Sequence, residues 1–296
     1  MGEGKAREME FARRLRSGEF AVALEITPPQ RALPGVLARR ARLLGEHAHA
    51  INVISRPDRQ SSFEASCALL EVGIEPVWHL VTRGRTRADI ASDIVAARDA
   101  GILQVLCVLG DHGDGGTSPG PGVSPTLREA VAMVAEGIPG ALIGATLNQY
   151  APDAEAVLRN LLPKLRAGAA YAQTQPVFDL AHLLASVEAV HARSPETKVV
   201  AMAMPLLSLG AAERIEKRVG VMLPPGVQRR IAAGEEAAWE LFEENIAGLA
   251  ASPAIAGVAI MTFEMSPSPE MGARLRACLA RMHRASGPGP GRTGRR

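Results

Sequence analysis

The sequence predicts a parallel (β/α)8 barrel, and three observations predict it. Eight short apolar runs recur along the chain, near-continuous rather than strictly alternating, as strands covered on both faces are. Segments with helical spacing, rich in Ala, Leu, Arg and Glu, lie between them. The length of 296 residues suits closure into one barrel better than the rival doubly wound open sheet, given eight successive units.

In order, the runs are FAVALEI (20–26), AINVIS (50–55), EPVWHLV (75–81), LQVLCVL (103–109), ALIGAT (141–146), AYAQT (170–174), KVVAMAM (198–204) and AGVAIM (256–261). Helical spacing is clearest in GVLARRARLLGEH, RADIASDIVAARDAG, DAEAVLRNLLPKLRAG and EAAWELFEENIAGLAA. Two of these end in Gly101 and Gly168, where a left-handed C-cap prefers glycine. The barrel is expected over residues 1–284, with a short N-terminal helical lead-in, and residues 285–296 (ASGPGPGRTGRR) have the composition of a disordered basic tail. DHGDGGTSPGPGVSP (111–125) is a long strand-to-helix loop, a functional lid or simply mobile.

Composition excludes several function classes. Aromatic residues make up 3% and the net charge is +2 with dispersed basic residues, so neither a stacking surface nor a phosphate-backbone footprint for nucleic acid is expected. No run approaches the roughly 18 to 20 apolar residues of a membrane span, and the charged N-terminus has no signal-peptide core. Three widely spaced cysteines fit a reduced, cytoplasmic setting. The oligomeric state stays open, a homo-oligomer included.

A barrel builds its site from the C-terminal ends of its strands and the loops after them. The polar residues there include Glu25, Ser55, His79, Thr82, Arg83, Asp111, Asn148, Thr174, Gln175, Thr262 and Glu264. Glu25 is the most telling, because a carboxylate inside an apolar run costs several kcal/mol unless paired or neutralised. An acid or base, a titratable imidazole, a second carboxylate and an amide (Glu25, His79, Asp111 and Gln175) suit binding and protonating a nitrogen heterocycle. No GxSxG elbow, HExxH pair or GxxxxGK[ST] loop is present. His47 and His49, at the opposite end, read as structural, and Met202, Met204, Met261 and Met265 as core filling.

The ordered segments LEITPP (24–29), INVISRPDRQSS, GIEPVWHLVTRGRTR, GILQVLCVLGD, LPKLRAGAAYAQTQPVFD, AMAMPLLSL and AGVAIMTF together resemble the methylenetetrahydrofolate reductases over roughly residues 18–265. That resemblance implies a (β/α)8 barrel in which FAD passes a hydride from NADH or NADPH to methylenetetrahydrofolate, giving methyltetrahydrofolate, or the reverse. It implies Glu25 as general acid, Asp111 as the fixed charge near pterin and flavin, and Gln175 and Phe178 as reduced-folate contacts. His79, Gly110, Asn160 and Lys164 match positions around the flavin or its phosphates. The departures gather on the flavin side. Leu109 replaces an Arg, LNQYA (147–151) replaces a YPExH-like stretch, Ile54 replaces a Thr, and a Tyr after the Gly-rich loop is missing. Leu209 stands where an aromatic is expected after strand seven, and the motif reads TQPVFD. Three activities therefore remain: a flavin-dependent reductase, direct transfer from nicotinamide to folate, or a non-catalytic folate-binding barrel.

Overall fold

The computed structural model describes residues 9–110, 124–262 and 267–285. Within them the chain runs α1 (Glu10–Ser17), β1 (Ala21–Ile26), α2 (Pro34–Ala41), β2 (Ala50–Val53), α3 (Ser62–Glu71), β3 (Pro76–Val81), α4 (Arg87–Asp99) and β4 (Gln104–Val108). It continues with α5 (Leu127–Gly137), β5 (Leu142–Leu147), α6 (Ala154–Arg166), β6 (Tyr171–Pro176), α7 (Leu180–Arg193) and β7 (Lys198–Ala203). The last elements are α8 (Leu209–Val219), α9 (Pro225–Ala232), α10 (Glu235–Ala251), β8 (Gly257–Met261) and α11 (Pro269–Ala285). Every strand is parallel to the next, and β8 pairs with β1, so the sheet closes in the order β1 to β8. This is the (β/α)8 barrel that the eight apolar runs predict.

Local signals place the helices. Thr86 and Thr126 each cap the following helix in a reciprocal box, with Asp89 and Glu129 returning to the cap backbone. Asp153, Asp179 and Ser208 accept from backbone N–H groups at the starts of α6, α7 and α8. Gly101 and Gly168 take φ of 80° and 119°, as the expected helix stops require. One segment differs from expectation. The helix read over GVLARRARLLGEH stops at Ala41, and Gly45, at φ 57°, begins a separate 3-10 turn.

Alternation along the strands splits the core in two. Outward side chains such as Leu24, Ile51, Leu80 and Val199 pack under the helices. Inward ones, including Ala21, Ala23, Val77, Leu106, Tyr171 and Val200, form the barrel interior together with Phe11, Ala12 and Leu15 of α1. The lead-in helix thus plugs the lower end. Phe11 stands edge-on to Tyr171 with ring centroids 5.9 Å apart. A Cβ at Gly144 would run into the Tyr171 ring and hydroxyl, so glycine leaves the room this tyrosine fills. At the same lower end His49 is structural as expected, its Nδ1 accepting from the Val22 N–H at 2.9 Å.

Phe11→Ala is expected to lower unfolding free energy by about 3 to 5 kcal/mol, because the plug loses a fully buried ring. Urea unfolding checks this; a change below about 1 kcal/mol would mean that α1 does not seal the barrel.

Candidate active site

Glu25 lies near the C-terminal end of β1, facing inward beside its register partner Asn52 on β2. Both are buried, and a third polar residue, Gln173 of β6, reaches them across the barrel. Asn52 Nδ2 donates to Gln173 Oε1 at 2.8 Å, and Gln173 Nε2 donates to Glu25 Oε2 at 3.1 Å. The first bond fixes the amide orientation, so that the NH2 end of Gln173 points at the carboxyl. Burial pushes the Glu25 pKa up to about 7, against the donations from Gln173 and Asn52 and the charge of Arg218. A carboxyl so placed is partly protonated near neutrality and can give up its proton.

His79, on β3, is also buried and faces inward; its Nε2 has no hydrogen-bond partner among the described residues. Burial pushes its pKa down to about 3, so the imidazole is neutral. Gly110, just past β4, takes φ of 90°, and its carbonyl accepts from Arg83 Nη1 at 2.9 Å. A Cβ there would meet Val81 Cγ1 at 2.6 Å, which requires glycine. Asp111, and Glu264 likewise, lie outside the described residues.

On β6, the side chain of Gln175 is half-buried at the mouth while its backbone is pinned. Gln149 Oε1 accepts from its N–H at 3.0 Å, and Gln149 Nε2 donates to its carbonyl at 2.9 Å. Thr174 serves the sheet: its hydroxyl accepts from Met202 N–H at 2.9 Å, where the β6–β7 register shifts. Phe178 packs half-buried against the cluster of Met204, Leu206 and Ile215, under α8. Glu25, His79 and Gln175 therefore share the barrel mouth, and Phe178 borders it.

Asn160 and Lys164 stand apart from these, on α6. Asn160 is exposed. Lys164 Nζ donates to the Thr146 carbonyl at 2.8 Å, and burial pushes its pKa down to about 8. The LNQYA loop is strapped to β6 as well, with Tyr150 Oη donating to the Pro176 carbonyl at 2.7 Å and its ring stacked on His182 at 5.7 Å. His79 and Gly110 could border a planar ring, and α6 carries Lys164, bonded to the Thr146 carbonyl, together with exposed Arg159 and Arg166. Among them, no group of three or more His, Cys, Asp or Glu side chains could hold a metal ion, and no helix is long and apolar enough to cross a membrane.

Sequence reasoning passes over Asn52 and Gln173. The available signal is strand parity: Gln173 lies two residues before Gln175 and shares its inward face, and Asn52 interrupts AINVIS as Glu25 interrupts FAVALEI.

Fold and site together define a (β/α)8 barrel with a buried, protonatable carboxyl held at the mouth. The sequence matches the methylenetetrahydrofolate reductase family over residues 10–273. The chain belongs to that family, whose members are typically enzymes. No curated protein matches it significantly.

The raised Glu25 pKa has a consequence for stability. Between the ordinary value of 4.5 and the folded value of about 7, the folded state holds a proton that the unfolded state has lost. Stability therefore falls as pH rises through this window. Glu25→Gln, which keeps the shape without the charge, is expected to be the more stable protein at about pH 8, by on the order of 3 kcal/mol. The difference disappears below the ordinary carboxyl value; urea melts at both pH values measure it.

Proposed function

We propose that the protein transfers hydride between a reduced nicotinamide nucleotide, NADH or NADPH, and methylenetetrahydrofolate, forming methyltetrahydrofolate or running the reverse reaction. The observation that carries this reading is Glu25: a carboxyl buried at the mouth of a barrel of this family, with its pKa pushed up to about 7. In the reductive direction the Glu25 carboxyl gives its proton to the ring nitrogen that leaves the bridging carbon. The carbon–nitrogen bond of the five-membered ring breaks, and the bridging carbon becomes a cationic iminium bound to the other nitrogen. Hydride then adds to that carbon and completes the methyl group. Asp111 supplies the fixed negative charge that favours the iminium, and Gln175 pairs with the pterin edge, with Phe178 beside it.

Gln173 and Asn52 position the acid. The Gln173 amide donates to Oε2 and is itself held by Asn52, so the carboxyl is fixed where it can hand its proton to substrate. Neutral His79 lends a buried nitrogen at the same mouth without adding charge.

The family usually relays hydride through FAD. Here the changed flavin-side positions, Leu109, Ile54 and the LNQYA stretch, favour direct delivery from the nicotinamide. Purified protein is expected to show no bound-flavin absorbance after FAD addition and desalting, while oxidising NADH or NADPH in the presence of methylenetetrahydrofolate. Stoichiometric flavin would return the relay; folate binding with no turnover under any donor would leave a binding protein.

Glu25→Gln is expected to lower kcat by roughly 10² to 10⁴-fold, the usual worth of a positioned acid. Because the acid must be protonated, wild-type reduction slows as pH rises through about 7. Gln173→Leu removes a donor that favours the carboxylate, so its descending limb should move to higher pH. An unmoved limb would show that Gln173 does not act on Glu25.

A further inference from the structure

Gln175 stands where the sheet is irregular. The pairing of β5 with β6 ends at Leu147 and Thr174, and the register between β6 and β7 shifts between Gln173 and Pro176. Such a shift disrupts the ladder and re-aims the side chains beside it. Pro176 also has no N–H to donate. The LNQYA stretch, which follows β5, makes up the deficit. The side chain of Gln149 is buried against β6. Its Oε1 accepts from the Gln175 N–H at 3.0 Å, and its Nε2 donates to the carbonyls of Gln175 at 2.9 Å and Pro176 at 3.4 Å. A side-chain amide thus takes the place of one more residue of β5. Thr174 Oγ1 adds a second donor to the Gln175 carbonyl, at 2.7 Å.

Gln149 is itself held. Asn148 Oδ1 accepts from the Tyr150 N–H at 3.1 Å, closing a tight turn with Gln149 at its centre. Tyr150 Oη donates to the Pro176 carbonyl at 2.7 Å, and its ring stacks on His182. His182 Nε2 lies 2.7 Å from the Gln149 carbonyl, which makes Nε2 the protonated ring nitrogen. The polar groups of Gln149 and Tyr150 are both spent on the backbone at Gln175 and Pro176. None of these bonds uses the Gln175 side-chain amide.

We propose that Gln149 is a positioning residue for the folate: it sets the backbone of Gln175 and so aims the Gln175 amide at the pterin edge. The inference rests on the proposed folate activity and deepens it. A binding group has to be held within about 0.5 Å of its productive place by the residues behind it. On a regular strand the neighbouring strands supply that accuracy. Past the last β5–β6 pair, Gln149 supplies it. Length and chemistry both restrict the choice of residue. A glutamate carboxylate has the reach but no donors, and asparagine has the donors but falls one methylene short. Methionine fills a similar volume with neither group.

The test measures equilibrium dissociation constants for tetrahydrofolate and NADPH in wild type, Gln149→Met, Gln175→Ala and the double variant, with an unfolding midpoint for each. Either single substitution should weaken tetrahydrofolate binding roughly tenfold, the scale of one or two hydrogen bonds, and leave NADPH affinity unchanged. Their coupling decides the matter. With Gln175 truncated there is no amide to aim, so adding Gln149→Met should weaken folate binding less than about twofold further, although it still lowers the unfolding midpoint. Independent, multiplying losses would overturn the inference and leave Gln149 a residue of the fold alone. Unchanged folate affinity in Gln149→Met, or an equal loss for NADPH, would overturn it too. If Gln149→Met does not fold, Tyr150→Phe takes its place, keeping the ring stack and removing one bond at Pro176. It should weaken folate binding about two- to threefold in the wild-type background and not in Gln175→Ala, and the same effect in both would overturn the inference. Unchanged folate affinity in Gln175→Ala would remove the pterin contact and this inference, while leaving the chemistry at Glu25 intact. Failure of wild type to bind tetrahydrofolate would remove the proposed function as well.

Discussion

A closed eight-stranded sheet has to be filled from inside, and this constraint governs the rest of the molecule. Half of every strand's side chains point into a space of fixed width. The lower levels are filled by apolar groups of unequal size, with Tyr171 occupying the room left by Gly144. Small inward residues such as Ala21, Ala23 and Ala259 line the same interior, into which α1 inserts Phe11 and Leu15. The level that holds Glu25 is filled by polar side chains instead, and in a dry interior each needs a partner. The chain from Asn52 through Gln173 to Glu25 meets that requirement in part and fixes the acid in place, while Asn52 Oδ1 and His79 Nε2 have no partner among the described residues.

The same dryness explains why titratable groups at the mouth, and Lys164 on α6, depart from ordinary behaviour. Burial is the leading cause at Glu25, His79 and Lys164 alike, and it acts in opposite directions according to charge type. It raises the carboxyl and lowers the imidazole and the ammonium. One physical effect thus yields a weak acid on β1 and a neutral base on β3. Lys164 escapes part of the cost by donating to the Thr146 carbonyl.

Most of the fold is legible in the sequence because strands covered on both faces announce themselves as apolar runs. All eight runs coincide with strands to within one or two residues at most ends. Glu25 is legible for the complementary reason, as a charge where none belongs. Gln173 is not, since an amide in AYAQTQP is unremarkable until the sheet closes and brings it across 148 residues of sequence to Glu25. The family-like TQ pair also draws notice to Gln175, two positions further along. The early end of the second helix follows from Gly45, whose left-handed backbone cannot be told in advance from an ordinary helix-interior glycine. The hold of Gln149 on Gln175 is invisible for a different reason. The two lie 26 residues apart, and only the pairing of β5 with β6 makes them neighbours.

The plug formed by α1 has a consequence for traffic. With Phe11 and Leu15 seated in the lower end, Glu25 is approached from the strand C-terminal side among the described residues. Whatever binds beside Glu25 therefore enters and leaves by the face opposite α1, so the sealed base gives the barrel a single working end, a property of the whole vessel rather than of any residue at its mouth.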